Sequence, residues 1–562
     1  MHEQSTLLLF DVGSTTTKAV LIHRQPAGSV EVLAVEHAPT TVERPHEDVM
    51  VGVRDAAAMA AASAGVSTNN ALMYATSSAG GGLQMIVAGT TQATTAGMAE
   101  RVALGAGAIV LANLSADDGH ETGEKVDLIR ELRPDMILIA GGVDGGDVPR
   151  TMAELVDMLA SAGLRARLGE TFQLPIVYAG NEAGFGLVRD VLGEQALLVR
   201  VENLMPGFQM ENFGPARAAI HELFQNHVMQ HAPGFATLAA RVDAPVMPTP
   251  AAMARAVELV RRETGRPVMT FDIGGATTDV FSVSATESVR SVSANLGMSY
   301  SALNVLALAG IDRLRQHLPG VGEDRIRSVI TNKTVRPTAL PETAEELAIE
   351  QAVASEALRL ATNDHVAVAR DNRRRAASLH TGATLPQCDD PLEELFGARD
   401  IPLVIGSGGV LSFAPQLERV PMILGAALTP RRPVEIACDR RFLLPQVGLL
   451  SGIDSEAATD LLHHHCLRRL TTIIPCAGRP GSRLTVAVSS ADGVPRGEWH
   501  FQPGDQQYLS GVTGDVVVTL RPTGHADCGW GMNKSHSLRV HAGEFGPLIR
   551  FRTVSDKEAG SR

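Results

Sequence analysis

Phe271–Val280, FDIGGATTDV, repeats the grammar of an earlier stretch, Phe10–Val20, FDVGSTTTKAV. In each, an acidic residue closes an apolar strand and is followed by Gly and a run of small hydroxyl residues. The strand delivers Asp11 or Asp272 to a fixed point, and Gly13, Gly274 and Gly275 let backbone N–H groups approach an anion with no Cβ in the way. Ser14, Thr15, Thr16, Thr277 and Thr278 add hydroxyl donors, and Lys18 adds a compact positive charge. A carboxylate aimed at a polyphosphate is repelled unless a cation lies between them, so Asp11 and Asp272 imply Mg2+ held through water. Either stretch alone reads as an ordinary hairpin with Gly and Thr in its turn. As a pair they predict two related lobes that grip a nucleotide phosphate.

A third element has the order that such a site requires. Pro402–Ser412, PLVIGSGGVLS, runs from an apolar strand into a Gly-rich turn, where Gly406, Gly408 and Gly409 would line a nucleoside. On its own this is a tight strand-to-helix connection. After the two acid–Gly hairpins it completes one nucleotide site.

The three segments resemble the phosphate-one, phosphate-two and adenosine motifs of the actin, sugar kinase and heat-shock chaperone ATPase superfamily. A narrower resemblance, to the MutL/GlmL proteins encoded with glutamate mutase, is carried by DVGSTTTK and DIGGATTDV together with ATSSAGGGLQMIVAG at 75–89 and IAGGVDGG at 139–146. VYAGN at 177–181, ENLMPGF at 202–208, MPTPAA at 247–252 and NLGMSYSA at 295–302 extend it. These proteins are distinct from the mismatch-repair protein that shares a name. The likeness spans most of residues 5–430 and fades beyond.

The resemblance implies an α/β, two-lobed actin-like ATPase with ribonuclease H-like lobes, an inserted parallel α/β unit and a C-terminal β-rich module. It also implies ATP and Mg2+ as cofactors and the subunits of an adenosylcobalamin-dependent mutase, glutamate (methylaspartate) mutase foremost, as partners of an accessory or reactivating protein. The chain is read as serving the mutase, not as its cobalamin-binding small subunit. A small-molecule kinase of the same superfamily and a non-hydrolysing nucleotide-binding scaffold stand as alternatives. At such a site Asp11 joins the Mg2+ water shell, Lys18 meets the phosphates, and Gly274, Gly275, Thr277 and Thr278 hold the γ-phosphate. Asp272 orients metal-bound or attacking water, with Asp279 in reserve.

Composition agrees with a large enzyme-like chain. With 562 residues, 44% hydrophobic and 20% charged, it has material for several cores. A formal net charge of −13 argues against nucleic acid or an anionic membrane as partner, because both call for a basic surface. The basic run Arg370–Arg375, RDNRRR, reads as a solvated helix face. MHEQSTLLLFDVG has no basic leader, no apolar window reaches a membrane span, and the five cysteines show no CxxC pair, so a cytoplasmic location is expected. His463–His465 point in different directions on a helix and do not converge on one ion.

Along the chain, 1–89 reads as the N-terminal part of the first lobe and 90–204 as the parallel α/β insert, whose strands AIVLAN, DMILIAGG, PIVYAGN and ALLVRV alternate with helix-length segments. Gly141, Gly142, Asp144, Gly145, Gly146 and Asn181 then fall at the strand ends, where they serve either a second site or sharp turns. Residues 205–265 are connecting helices, with 247–250 as a Pro-rich joint, and 266–430 form the second lobe. Within it a helix is expected over 341–372 and a mobile connection over 373–400. Residues 431–562 form the β-rich module. No GxGxxG and no GxxxxGK[ST] occurs, which excludes a dinucleotide fingerprint and a P-loop.

Overall fold

The computed structural model describes residues 5–13, 16–26, 28–42, 46–78, 83–106, 108–147, 150–165, 173–208, 210–224, 233–275, 277–293, 295–299, 301–337, 339–378, 390–397 and 400–554. Two compact units emerge. One comprises Met1–Met253, Val292–Asn295 and Gly452–Ala457, the other Ala254–Ser291, Leu296–Ser451 and Ala458–Arg562.

In the first unit β1 (Ser5–Val12), β2 (Thr16–Arg24) and β3 (Val30–Pro39) form an antiparallel meander, and β4 (Leu72–Ser77) lies parallel to β1 on its other side. The helix Val49–Ala64 makes the crossover. Asp48 starts it by accepting from the Met50 N–H, and Gly65 ends it in the left-handed region. Its buried residues Val49, Val53, Ala56 and Ala60 recur at helical spacing and pack with Leu8, Phe10, Ala19 and Leu21 of the sheet.

A second sheet in this unit is wholly parallel. It contains β5 (Leu83–Gly89), β6 (Ala108–Ser115), β7 (Met136–Ala140), β8 (Leu174–Tyr178) and β9 (Ala196–Arg200), in the order β6-β5-β7-β8-β9. Ile137 and Ile139 join one core while Met136, Leu138 and Ala140 join another, so both faces of β7 are covered and its sequence is a continuous apolar run. The parallel sheet therefore begins at Leu83, not after residue 90. The apolar run LQMIVAG bonds to β6 and β7, although the SSAGGG stretch before it resembles a hairpin turn from β4. β10 (Met247–Pro248) returns to the first sheet beside β4, and the helix Thr249–Thr264 follows directly, so the MPTP joint is an integral edge strand and helix start.

The second unit repeats the first topology. β11 (Val268–Ile273) and β12 (Thr278–Val283) form a hairpin, β13 (Ser288–Ser293) continues the sheet beyond β12, and β14 (Leu403–Ser407) is parallel to β11 on its far side. The same arrangement occurs twice, each time as a hairpin meander whose first strand takes a parallel partner after a long crossover. This is the duplicated ribonuclease H-like architecture of an actin-like ATPase. β15 (Val434–Asp439) and β16 (Leu467–Gly478) extend the sheet, so no break falls at residue 430. The remaining strands are β17 (Arg483–Ser490), β18 (Pro495–Phe501), β19 (Gln506–Tyr508), β20 (Asp515–Thr523), β21 (Ala526–Asp527), β22 (His536–His541) and β23 (Leu548–Thr553). β18-β17-β20-β22 make a separate antiparallel sheet, the β-rich module, while β23, β19 and β21 join the large sheet. β16 serves both cores: Ile473 packs with the second lobe, and Ile474 and Cys476 pack with the module.

The long helix runs over Ala344–Ser378, six residues past the expected end. Arg373 explains the extension. It bonds Glu287 and the carbonyls of Glu394 and Leu395, and Arg370 bonds Glu394, so these two side chains are paired and partly buried instead of forming a solvated face. Of the rest of the expected connection, Pro391–Phe396 is a helix capped by Asp390, and 379–389 and 398–399 lie outside the described residues.

His365 of this helix is fully buried, with Nδ1 at 2.8 Å from Ser291 Oγ and Nε2 at 2.7 Å from Ser282 Oγ. Burial holds its imidazole far below the usual range, to about 3, so it stays neutral in the fold. The unfolded chain takes up a proton near pH 6.5 and the folded one does not. Stability is therefore full above pH 6.5 and is lost between there and about pH 3, at ~1.4 kcal/mol per pH unit. Urea unfolding across this window should show a shallower pH dependence in His365→Gln than in the wild type, the difference approaching that slope.

Candidate nucleotide site

The acid-closed strands place two phosphate-type turns, one in each unit. In the first unit Asp11 pairs in register with Lys18 on β2 and Thr76 on β4. Its Oδ1 accepts from Thr76 Oγ1 and from Thr249 Oγ1, both at 2.8 Å, and Lys18 Nζ lies 3.9 Å from Oδ2. Both side chains are buried, at 2% exposure for Lys18 and 5% for Asp11. His37 stands opposite Lys18 on β3. Its imidazole is held below the usual value by burial first and by the Lys18 charge second. The turn is closed by Gly13 N–H donating to Thr16 O at 3.0 Å, and Thr40 Oγ1 donates to the Gly13 carbonyl at 2.8 Å. Ser14 and Thr15 lie outside the described residues.

The second turn is built alike. Gly274 N–H donates to Thr277 O at 2.9 Å; the N–H groups of Met298 and Ser299 donate to the carbonyls of Gly274 and Gly275 at 2.9 and 2.8 Å, and Ser299 Oγ adds 3.2 Å. NLGMSYSA is therefore the brace of the second phosphate turn. In both turns the glycine carbonyls, which repel an anion, are occupied from within the fold. Asp272 sits partly exposed at the end of β11. Thr278 is fully buried with its hydroxyl donating to Leu296 O, so it braces the turn instead of facing outward. Asp279, opposite Asp272 in register, accepts from Arg290 Nε and Nη2 at 3.0 and 2.7 Å.

The third element joins the second turn. Phe271 pairs with Gly406 and Asp272 with Ser407 across parallel strands. Gly408 has φ +99°, and a Cβ there would lie 2.2 Å from Ile273 O, so only glycine lets this turn press against the hairpin. Gly409 opens the short helix Gly409–Ser412 with open space where its Cβ would be.

Three supporting residues were missed on the sequence alone. Thr76 and Thr249 fix Asp11, and nothing local marks them, because the contact joins residues 65 and 238 positions apart. Asp439 did carry a signal, as an acidic residue closing the apolar strand VEIACD. Fully buried, it accepts from Ser407 Oγ at 3.2 Å, from the Leu443 and Leu444 N–H groups at 2.8 and 2.9 Å and from Cys466 Sγ at 3.3 Å, which ties the Gly-rich turn to the helix Leu444–Ser451.

At the carboxyl end of the parallel sheet, Asn181 Nδ2 donates to Val143 O and Gly146 O, and Asn203 Nδ2 to Gly142 O and Asp144 Oδ1. IAGGVDGG, VYAGN and ENLMPGF thus meet there, with the asparagines fixing the Gly-rich loop; beyond them Phe208 is 85% exposed. Asp118–Gly123, DGHETG, has the D-x-H-x-x-G spacing of the cobalamin pattern of mutase small subunits, a match also missed on the sequence. Its carboxylate is committed locally. Asp118 accepts from Ser115 N–H and His120 N–H at 3.0 Å each and pairs with the buried Lys125 at 2.7 Å, after a strand at the sheet's edge.

Among the described residues no group of three or more His, Cys, Asp or Glu could hold a metal by itself. His463 and His464 turn to Glu263 and Asp460 respectively. Among those residues no helix is long and apolar enough to cross a membrane.

A family model described as MutL protein matches residues 7–466. Protein MutL of Clostridium tetanomorphum is 31% identical over 491 residues, which cover 82% of this chain and 99% of that one. Among solved structures, nucleotide-free diol dehydratase-reactivating factor has a TM-score of 0.32 at 12% identity, covering 80% of this chain and 100% of that one. Nucleotide-free acetone carboxylase also has a TM-score of 0.32 at 12% identity, with 90% and 82% covered. Likeness of that extent says nothing of activity. The match to the family model and the near-complete alignment with the clostridial protein show that the chain belongs to the MutL protein family.

Proposed function

We propose that the chain binds Mg-ATP and acts as an ATP-hydrolysing accessory or reactivating protein for an adenosylcobalamin-dependent mutase, glutamate mutase foremost. The observation that carries the ATP half is the shared build of the two turns: each follows a strand-end carboxylate and has its glycine carbonyls capped from within. The mutase half rests on family membership.

The residues fit Mg2+ bound mainly through water. A strand-end carboxylate suits a cation that keeps several waters and shares the rest of its shell with phosphates. When bound, the ion neutralises charge on the β- and γ-phosphate oxygens. In this reading Asp11, whose Oδ1 accepts from two hydroxyls, joins the ion's water shell, and Lys18 meets the phosphates. Gly274, Gly275 and Thr277 hold the γ-phosphate, Thr278 supports their turn, and Asp272 orients the attacking water. Gly406, Gly408 and Gly409 line the nucleoside.

Two substitutions separate the carboxylates. Asp272→Asn should abolish ATP turnover and weaken the Mg2+-dependent part of nucleotide binding. Asp279→Asn should retain turnover and cost about 1 kcal/mol or less of stability, because its pair with Arg290 is partly exposed. The functional test is ATP turnover by purified protein with and without an adenosylcobalamin mutase inactivated by turnover. The proposal expects slow hydrolysis that the mutase accelerates, together with recovery of mutase activity. Turnover accelerated by a small alcohol instead would point to a kinase, and ATP binding with no turnover in any condition would point to a scaffold.

A further inference from the structure

We propose that Cys476 and Cys528 form an oxidisable dithiol, a cross-link site that a low-molecular-weight disulfide converts to an intrachain bond. β21 pairs antiparallel with β16 through Ala477↔Asp527 and Gly478↔Ala526, so Cys476 and Cys528 are the next pair in that register. Directly opposed residues in an antiparallel pair have Cα atoms roughly 4.5–5.5 Å apart, inside the range that a disulfide spans. Both cysteines are buried, at 3% and 2% exposure, in the core of the β-rich module, and the Cys528 thiol donates to Cys476 Sγ at 2.9 Å. The other described cysteines are turned away from this pair, Cys438 to Leu411 O and Cys466 to Asp439.

Access comes from the edge of the sheet. β21 is two residues long, and the loop after it is held by Asp527 Oδ1 accepting from Gly529 N–H and Gly531 N–H. With the segment closed, the hydrogen bond to the Cys476 thiol, and then burial, hold Cys528 above its ordinary pKa and therefore protonated. Opening of this short segment lets one thiol ionise and attack the reagent disulfide. A mixed disulfide forms and one reagent thiolate leaves. The second protein thiolate then attacks the mixed disulfide, the Cys476–Cys528 bond forms and a second reagent thiolate leaves. The two protons lost by the protein thiols pass to the two reagent thiolates; the protein has lost two electrons, and the reagent has gained them as two thiols. The new bond closes the segment carrying β17, β18, β19, β20 and β21, which restricts the unfolded chain and raises the unfolding midpoint.

The test treats native full-length protein with oxidised glutathione, quenches by alkylation and maps peptides without reduction. The expected product is a Cys476–Cys528 peptide pair lighter by two hydrogens, with a thermal midpoint shifted upward and restored by reductant. Cys476→Ser and Cys528→Ser should each lose both the cross-link and the shift. Three results would each overturn the proposal: glutathione adducts on either cysteine without the cross-link, a bond to Cys438 or Cys466 instead, or thiols that stay unmodified in the native protein while reacting fully in urea. The wild-type peptide map decides even if a serine variant fails to fold.

Discussion

Gly408→Val should destabilise the second unit by roughly 3–5 kcal/mol and abolish nucleotide binding, while Gly409→Ala should leave stability within about 0.5 kcal/mol. The contrast comes from the backbone. At Gly408 the φ of +99° excludes side chains, and the Cβ would sit 2.2 Å from a main-chain oxygen of β11, which cannot yield as a flexible side chain does. At Gly409 the added methyl meets nothing within 4 Å. Chemical unfolding measures the first difference. If the turn lines a nucleoside, Gly409→Ala should still weaken ATP binding, so the pair separates folding from recognition one residue apart.

Asp11→Ala should cost about 3 kcal/mol, near the low end for breaking a buried ion pair because the charges are 3.9 Å apart. It leaves Lys18 buried without its carboxylate and deprives the Thr76 and Thr249 hydroxyls of a shared acceptor. Asp11→Asn keeps an acceptor for those hydroxyls and should cost less. It still removes the charge that the ion's water shell requires, so Mg-ATP affinity should fall at least about tenfold, or ~1.4 kcal/mol. Thermal unfolding and nucleotide titration of the two variants separate the structural loss from the loss at the ion. Thr249→Val should resemble Asp11→Asn in direction with a smaller magnitude.

The parts of the fold legible in the chain were those encoded within a few residues. A strand closed by Asp and followed by Gly and Thr can be read locally, and both such strands lie at the start of a hairpin. The buried parallel strands of the insert were legible for the same reason, as unbroken apolar runs. What escaped was set by partners distant in sequence. LQMIVAG follows β4 so closely that it reads as the same sheet, yet it lies between β6 and β7 in another. The end of the long helix depends on Arg373 reaching Glu287, 86 positions away. The hydroxyls on Asp11 come from β4 and from a helix start that reads as a Pro-rich joint. Thr278 reads as a phosphate donor together with its neighbours, but on a strand successive side chains alternate, and its hydroxyl is directed into the core.

The central claim, that the chain binds Mg-ATP at its acid-closed and Gly-rich turns, is tested most directly by equilibrium titration of ATP with and without Mg2+ against wild type, Asp11→Asn and Gly409→Ala. The account predicts saturable, Mg2+-dependent binding by the wild type at one nucleotide per chain, weakened by either substitution with the fold intact. No binding by folded wild type, or binding unchanged in both variants, would contradict it.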